Sequence, residues 1–469
     1  MEEIKINIKS NIDINMNSLE EFDRLLISSD KASEYSVEIS KTDSMIKVVM
    51  EYKGDKKEFI YRDYSSKIGE QILLMIKNLM LKMNNKNYKW GTLIGVRPTK
   101  LFRRLLHLGF DFQEIDKILE DVYLVAKEKR ELLNRIVKKE LEYLNTNKIN
   151  VYIGVPFCPT KCRYCSFASY EIGSKQGKNY DSFVETLIEE IKLSGEFLKE
   201  NKDEIESLYI GGGTPTILNE KDLESVLEAV RENFDLDRLR EFTVEAGRID
   251  TINSEKLQIM KKFGVHRISI NPQTFNEEIL KELNRYFDKE YFDKVYAEAR
   301  EMNFVINMDL IIGLPNESTE DILRTLDTVK NYDIENLTIH VLALKKGSNL
   351  YREGHIHEEI DYEKIEEKIT SITETKGLKP YYMYRQKNSL EWGENIGYSV
   401  EGKESIFNIQ IIEESQSTFG LGGGAITKFT NGAFDEEIKL ERIVNPKEPL
   451  AYIKEMRDRF DKKVKLFKK

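Results

Sequence analysis

The chain has 469 residues, more than one ordinary core covers, so two or three domains are expected. Its 40% hydrophobic and 10% aromatic content supplies real cores despite 33% charge, and a net charge of −10 argues against nucleic-acid phosphate as the main partner. No run approaches the roughly 20 apolar residues of a membrane span, and the N-terminal MEEIKINIKSN lacks the basic start and apolar stretch of a signal peptide, so a cytoplasmic protein without a membrane span is expected.

Residues 1–147 open with strand-like alternation in EIKINIK, YSVEIS, MIKVVMEY and KKEFIYRD. Apolar residues then recur every three or four positions in SSKIGEQILLMIKNLMLKMNN and DKILEDVYLVAKEKRELLNRIVKKELEYL, which predicts a small α+β unit with a helical connector. Between these helices WGTLIGVRPTKLFRRLLHLGF reads as a turn and an amphipathic helix with Pro98 near its start. Its other reading is an anion site of Arg97, Lys100, Arg103 and Arg104.

From residue 148 short apolar strands alternate with amphipathic helices. The strands are INVYIGV, SLYIGG, EFTVEAG, HRISINP, FVINMDLIIG and NLTIHVLAL, and helices are predicted to start near Asn179, Glu220, Ser254, Asn276, Glu317 and Tyr362. Six such units over 148–378 predict an α/β fold, an incomplete (β/α)6 barrel with right-handed crossovers and its chemistry at the C-terminal strand ends. The tyrosine- and glycine-rich remainder, 379–469, predicts a C-terminal cap domain.

The three cysteines, Cys158, Cys162 and Cys165, fall within eight residues directly after the first barrel strand. Chance would produce such crowding on the order of once in a thousand chains, and an odd, tight group excludes a disulfide framework. Three soft ligands are one fewer than a closed zinc site or a fully ligated iron–sulfur cube requires. A 4Fe-4S cluster with one open iron fits best, and a zinc knuckle borrowing a distant ligand is the alternative.

The pattern C-x-x-x-C-x-Φ-C after the first strand of such a barrel resembles the radical S-adenosylmethionine superfamily. That resemblance implies S-adenosylmethionine as second cofactor, chelating the open iron and yielding a 5′-deoxyadenosyl radical on one-electron cleavage. Gly211-Gly212-Gly213-Thr214-Pro215 is similar to the superfamily's motif for the methionine amino group, and Glu245 in TVEAG joins it. By the same resemblance Gln273 and Asp309 hold ribose hydroxyls and Arg285 the methionine carboxylate. Tyr152 and Glu245 are the catalytic candidates. Tyr164, between the last two cysteines, is expected to shield the cluster rather than bind it.

The order of these motifs, with LTIHVLALKKGS, PYYMYRQKN and WGTLIGVRPTK, resembles the oxygen-independent coproporphyrinogen III oxidases, in the variant with an added N-terminal domain. This implies decarboxylation of two propionates of coproporphyrinogen III to vinyl groups, giving protoporphyrinogen IX. It also implies a tetrapyrrole substrate, a one-electron donor such as flavodoxin or ferredoxin, and a separate electron acceptor. Lys161, Arg163, Arg385 and Lys387 are the cationic candidates for the propionates, solvated surface charge being their other reading. Two positions depart from the family pattern: Gly154 stands where His is usual, and Phe167 where many members carry a further Cys. Phe167 matches the related heme-trafficking proteins, so a heme carrier and an anaerobic heme-modifying enzyme are the alternative expectations. Gly420-Leu-Gly422-Gly423-Gly424 reads either as the family's late glycine-rich segment or as a tight strand junction.

Overall fold

The computed structural model describes residues 5–9, 14–26, 34–65, 67–93, 97–144, 147–167, 169–356, 359–386, 389–390, 393–431 and 440–468. The chain divides into two compact units, Met1–Arg135 and Ile136–Lys469.

The smaller unit carries a four-stranded sheet of β1 (Lys5–Lys9), β2 (Glu34–Lys41), β3 (Met45–Tyr52) and β4 (Asp55–Arg62), in that order. Ile46, Val48, Met50 and Tyr52 of β3 turn to the core, the period-two pattern of a half-buried strand. Lys53 and Gly54, both at positive φ, make the two-residue turn into β4. A helix at Met16–Leu26, not anticipated, joins the expected Ile68–Met83. The long second helical stretch is two helices, Phe112–Asp121 and Lys127–Glu140. Leu124 at φ 55° breaks it, and Arg130 bridges the break by donating to the Val125 carbonyl while pairing with Asp116 and Glu120. In the helix Pro98–His107, Arg103 is buried and Arg104 pairs with Glu70 at 3.0 Å.

The larger unit is built on one eleven-stranded sheet. Its parallel centre comprises β5 (Ile149–Val155), β8 (Ile205–Gly212), β9 (Glu241–Glu245), β10 (Arg267–Ser269), β11 (Val305–Ile312) and β12 (Asn336–Val341) as neighbours in that order. These are the six barrel strands expected. A separate parallel pair, β6 (Phe157–Cys158) and β7 (Tyr170–Glu171), lies just beyond β5. Both faces of β5, β8, β9 and β12 are almost wholly buried, while β11 buries one face and half-buries the other, with Val151, Ile153, Leu208, Ile210, Ile306 and Leu310 among the core, which accounts for their near-continuous apolar runs. Crossover helices begin at Tyr180, Glu220, Ser254, Lys289 and Thr319. Asn219, Asn253, Asp288 and Ser318 cap four of them by accepting from backbone N–H groups of the first turn. The helix expected near Asn276 is only Glu277–Glu282, because Asn284 turns left-handed after it; the crossover is the separate helix Lys289–Glu301.

The remaining strands extend this sheet at both ends. β14 (Glu394–Ser399) pairs antiparallel with β12, and β13 (Lys379–Arg385) pairs with β14. On the other side β15 (Ser417–Gly422) runs parallel to β5, followed by antiparallel β16 (Ile426–Thr430) and β17 (Leu440–Val444). Residues 379–469 thus flank the six parallel strands within one sheet. Gly422 sits at φ 80°, and a Cβ there would lie 2.2 Å from the Gly154 carbonyl oxygen, so the late glycines form a tight strand junction. Glu190, on the helix Tyr180–Asn201, anchors that junction. It accepts from the Gly422 N–H at 2.8 Å and the Tyr452 hydroxyl at 2.6 Å, and pairs with Lys463 at 2.6 Å, where both side chains are 0% exposed. Among the described residues no helix is long and apolar enough to cross a membrane.

Candidate active site

The cysteine loop leaves the C-terminal end of β5 and is held in place by its neighbours. Tyr170 N–H donates to the Pro156 carbonyl and Ile172 N–H to that of Cys158, while Thr160 and Arg163 bond the backbone at Asn284 and Leu283. Cys158 and Cys162 are buried and Cys165 is partly exposed. Burial pushes the Cys158 thiol up, opposed by the Thr214 hydroxyl 3.4 Å from its sulfur, and pushes the Cys165 thiol up to about 11. Cys162 takes a different contact: the Arg248 guanidinium donates to its sulfur at 3.6 Å.

The end of β8 folds over this loop. Gly213 N–H donates to the Val155 carbonyl and Thr214 N–H to that of Phe157, both at 2.8 Å. A Cβ on Gly213 would stand 2.5 Å from the Phe157 oxygen and 3.0 Å from the Cys158 sulfur, so only glycine permits the approach. Gly211 is equally tight against Glu245 and Tyr209. Glu245, ending β9, accepts from the Tyr209 hydroxyl at 2.6 Å and from Gly212 N–H at 3.2 Å. Burial, reinforced by Asp309, nevertheless pushes its carboxyl up to about 7. Tyr209 stacks on Phe407 with ring centroids 4.4 Å apart, and Tyr152 lies 5.9 Å from Phe407 and 6.2 Å from Tyr209, so the three rings form a compact cluster beside Glu245.

Gln273 lies beyond β10 at φ 69°, pinned to β11 through Asp309 and Ile311. Its side-chain Oε1 is buried with no hydrogen-bond partner. Asp309 accepts from Asn271 at 2.8 Å and from Asn307 at 2.7 Å. Burial pushes its carboxyl up, but His340 and the hydrogen bonds of Asn307 and Thr338 outweigh that and hold it below the usual range. His340 ends β12 with its Nε2 3.9 Å from Asp309, and its Nδ1 meets the Tyr384 hydroxyl at 3.2 Å. Arg285 is buried and donates to the carbonyls of Gly247 and Asn271, at 2.5 and 2.6 Å. Cys158, Gly213, Glu245, Asp309 and Arg285 therefore gather at the C-terminal ends of the parallel strands.

Comparison with known proteins agrees with this geometry. The Radical SAM superfamily model matches residues 152–329. The oxygen-independent coproporphyrinogen-III oxidase-like protein HemZ of Bacillus subtilis (strain 168) is 37% identical over 451 residues, covering 92% of this chain and 89% of that protein. The chain belongs to that radical SAM family. The heme chaperone HemW of the same organism is 29% identical over 59% of this chain and 70% of its own. The coproporphyrinogen III oxidase HemN of Escherichia coli superposes with a TM-score of 0.51 at 20% identity, covering 68% of this chain and 72% of that one, a likeness of fold.

Radical SAM proteins bind a 4Fe-4S cluster and S-adenosylmethionine, and the residues present fit both. Three thiolates in one loop are one fewer than a closed zinc site takes and match a cube with one open iron. For the second cofactor, the Gln273 Oε1, without a partner among the described residues, offers an acceptor to a hydroxyl, and among the described residues no cation stands against the Glu245 carboxyl, a place an ammonium group fits.

The substrate candidates are less uniform. Arg163 pairs with Glu353 at 2.6 Å on the surface. Arg385 is 6% exposed, buried opposite Glu394 in the β13–β14 ladder. The Lys161 backbone N–H donates to Glu171, and Lys387 lies outside the described residues. Sequence reasoning missed Arg248, Asn271, His340 and Phe407. The first three stand at or just past strand ends, where a strand-end rule finds them; Phe407 reaches the site from a helix 250 or so residues downstream of β5, with no local signal.

Proposed function

We propose that this protein decarboxylates two propionate side chains of coproporphyrinogen III without oxygen. The observation that carries the reading is the family's cysteine loop set against Glu245, Gln273, Asp309 and Arg285 in a chain 37% identical to a HemZ relative over nearly its whole length. Bound there, the two cofactors would supply one-electron radical chemistry able to take a hydrogen from the propionate carbon next to the ring. For each propionate, loss of carbon dioxide and of one electron to a separate acceptor would balance the vinyl product.

In this reading Cys158, Cys162 and Cys165 are the iron ligands. Glu245 and the Gly212-Gly213-Thr214 backbone receive the methionine ammonium, Gln273 and Asp309 accept from the ribose, and Arg285, whose backbone contacts use Nη2 alone, answers the methionine carboxylate with its other guanidinium nitrogens. Tyr152 and Tyr209 wall the reaction off from water. Arg385 and Lys387 answer the propionates, and the electron comes from a carrier of the flavodoxin or ferredoxin kind.

A second reading, heme carriage, is favoured by Phe167, which is 69% exposed beside Cys165, and by the HemW relatives. Anaerobic reconstitution followed by dithionite, S-adenosylmethionine and either coproporphyrinogen or heme separates the two. Release of carbon dioxide and a vinyl product by mass analysis supports decarboxylation. Stoichiometric heme binding with intact propionates overturns it.

A further inference from the structure

Arg248 lies three residues past Glu245, is 5% exposed, and belongs to none of the motifs described above. Its Nε and Nη2 bind the two carboxylate oxygens of Asp250 at 2.9 and 2.6 Å, a fork that fixes the guanidinium plane. The remaining nitrogen, Nη1, is thereby aimed at the cysteine loop. It donates to the Thr160 carbonyl at 3.1 Å, the Thr160 hydroxyl at 3.0 Å and the Cys162 sulfur at 3.6 Å. Arg285 is drawn to the same sulfur. Cys162 thus receives a buried, oriented cation in direct contact, whereas Cys158 receives the neutral hydroxyls of Thr214 and Ser169 and feels Arg248 only through space, and Cys165 receives a backbone N–H.

A cube held by three thiolates becomes more negative by one charge when it takes one electron from an external reductant, with no bond made or broken. Hydrogen bonds and cations at a ligand sulfur favour the more negative state, and they do so strongly where water is excluded. We propose that Arg248, locked by Asp250, is a positioning residue that raises the reduction potential of the cluster through the Cys162 sulfur. Asp250 does two opposed things: it orients the guanidinium and it partly cancels its charge. The pair therefore sets how easily the cluster accepts its electron, whichever tetrapyrrole follows.

The inference rests on the three cysteines holding a cube, which iron and sulfide analysis of the unsubstituted chain tests separately. If that chain takes up no cube, both readings fall. Given a cube, the midpoint is measured by titration with dithionite under electron paramagnetic resonance, without S-adenosylmethionine, on the full-length chain and two variants. Arg248→Gln is expected to lower the ratio of reduced to oxidised cluster at a given potential at least tenfold, a midpoint about 59 mV more negative. Asp250→Asn keeps the cation and removes its counter-charge, so its midpoint is expected to move the other way. A purely structural role predicts no such opposition of sign. Full iron and sulfide in Arg248→Gln with an unmoved midpoint overturns the proposal. Should that variant fail to hold a cube, an unchanged or lower midpoint in Asp250→Asn overturns it, and loss of the cube in both variants does so too.

Discussion

Replacing Lys463 by Met tests how the first strand of the barrel is held. Lys463 and Glu190 are both 0% exposed, and the ammonium also donates to the Gly420 carbonyl at 2.6 Å. Burial pushes the ammonium down and Glu190 opposes this. Without the lysine, Glu190 keeps Tyr452, Gly422 and Asn445 as neutral donors but has lost its counter-charge. Breaking a buried pair from one side costs about 3–5 kcal/mol. With a urea slope of about 3 kcal/mol per M, reasonable for a unit this large, the midpoint of its transition falls by about 1 M or more in circular dichroism. Adding Glu190→Gln removes the stranded charge and is expected to return about 2 kcal/mol of that loss. A single variant within about 1 kcal/mol of the parent, or a double variant weaker than the single, refutes this account of the anchor.

Three further outcomes follow from the site. Ala at Cys158, Cys162 or Cys165 is expected to abolish the 4Fe-4S absorbance and iron content, whereas Tyr164→Phe keeps both; a single cysteine variant with full iron and sulfide contradicts the ligand set. Burial pushes the Glu245 carboxyl up to about 7, so a ligand ammonium that binds its ionised form loses affinity as pH falls through about 7. Calorimetry between about pH 7 and pH 6 is expected to show S-adenosylmethionine binding weakened by about fivefold, with the slope absent in Glu245→Gln; a pH-independent affinity in the unsubstituted chain rules this out. Gly154→His, which restores the family's usual residue, is expected to destabilise by about 1–3 kcal/mol, since its Cβ would lie 2.7 Å from the Gly423 oxygen; unchanged urea unfolding argues against that clash.

The parts legible in the sequence are those encoded locally. Six apolar runs with helical spacers give the parallel strands, and three crowded cysteines give the loop, because periodicity and spacing act over a few residues. Asn284 and Leu124 escaped notice because a single left-handed residue ends a helix without disturbing the apolar period on either side. Pairings across the chain were invisible for another reason. Glu190 with Lys463, and Gly154 with Gly422, are separated by more than 250 residues, and nothing near either partner announces the other. Arg385 shows the same limit: a basic residue in a polar stretch reads as surface, yet the β13–β14 register buries it beside Glu394.

The order in which the chain is made bears on the pairing of β15 with β5. The cysteines leave the ribosome soon after β5, but the partner on one side of that strand comes only with Ser417–Gly422. At about 5–20 residues per second the loop waits roughly tens of seconds before its supporting strand has both neighbours. Until then β5 has a neighbour on one side only, so the strand that carries the cysteine loop is completed by almost the last part of the chain to be made.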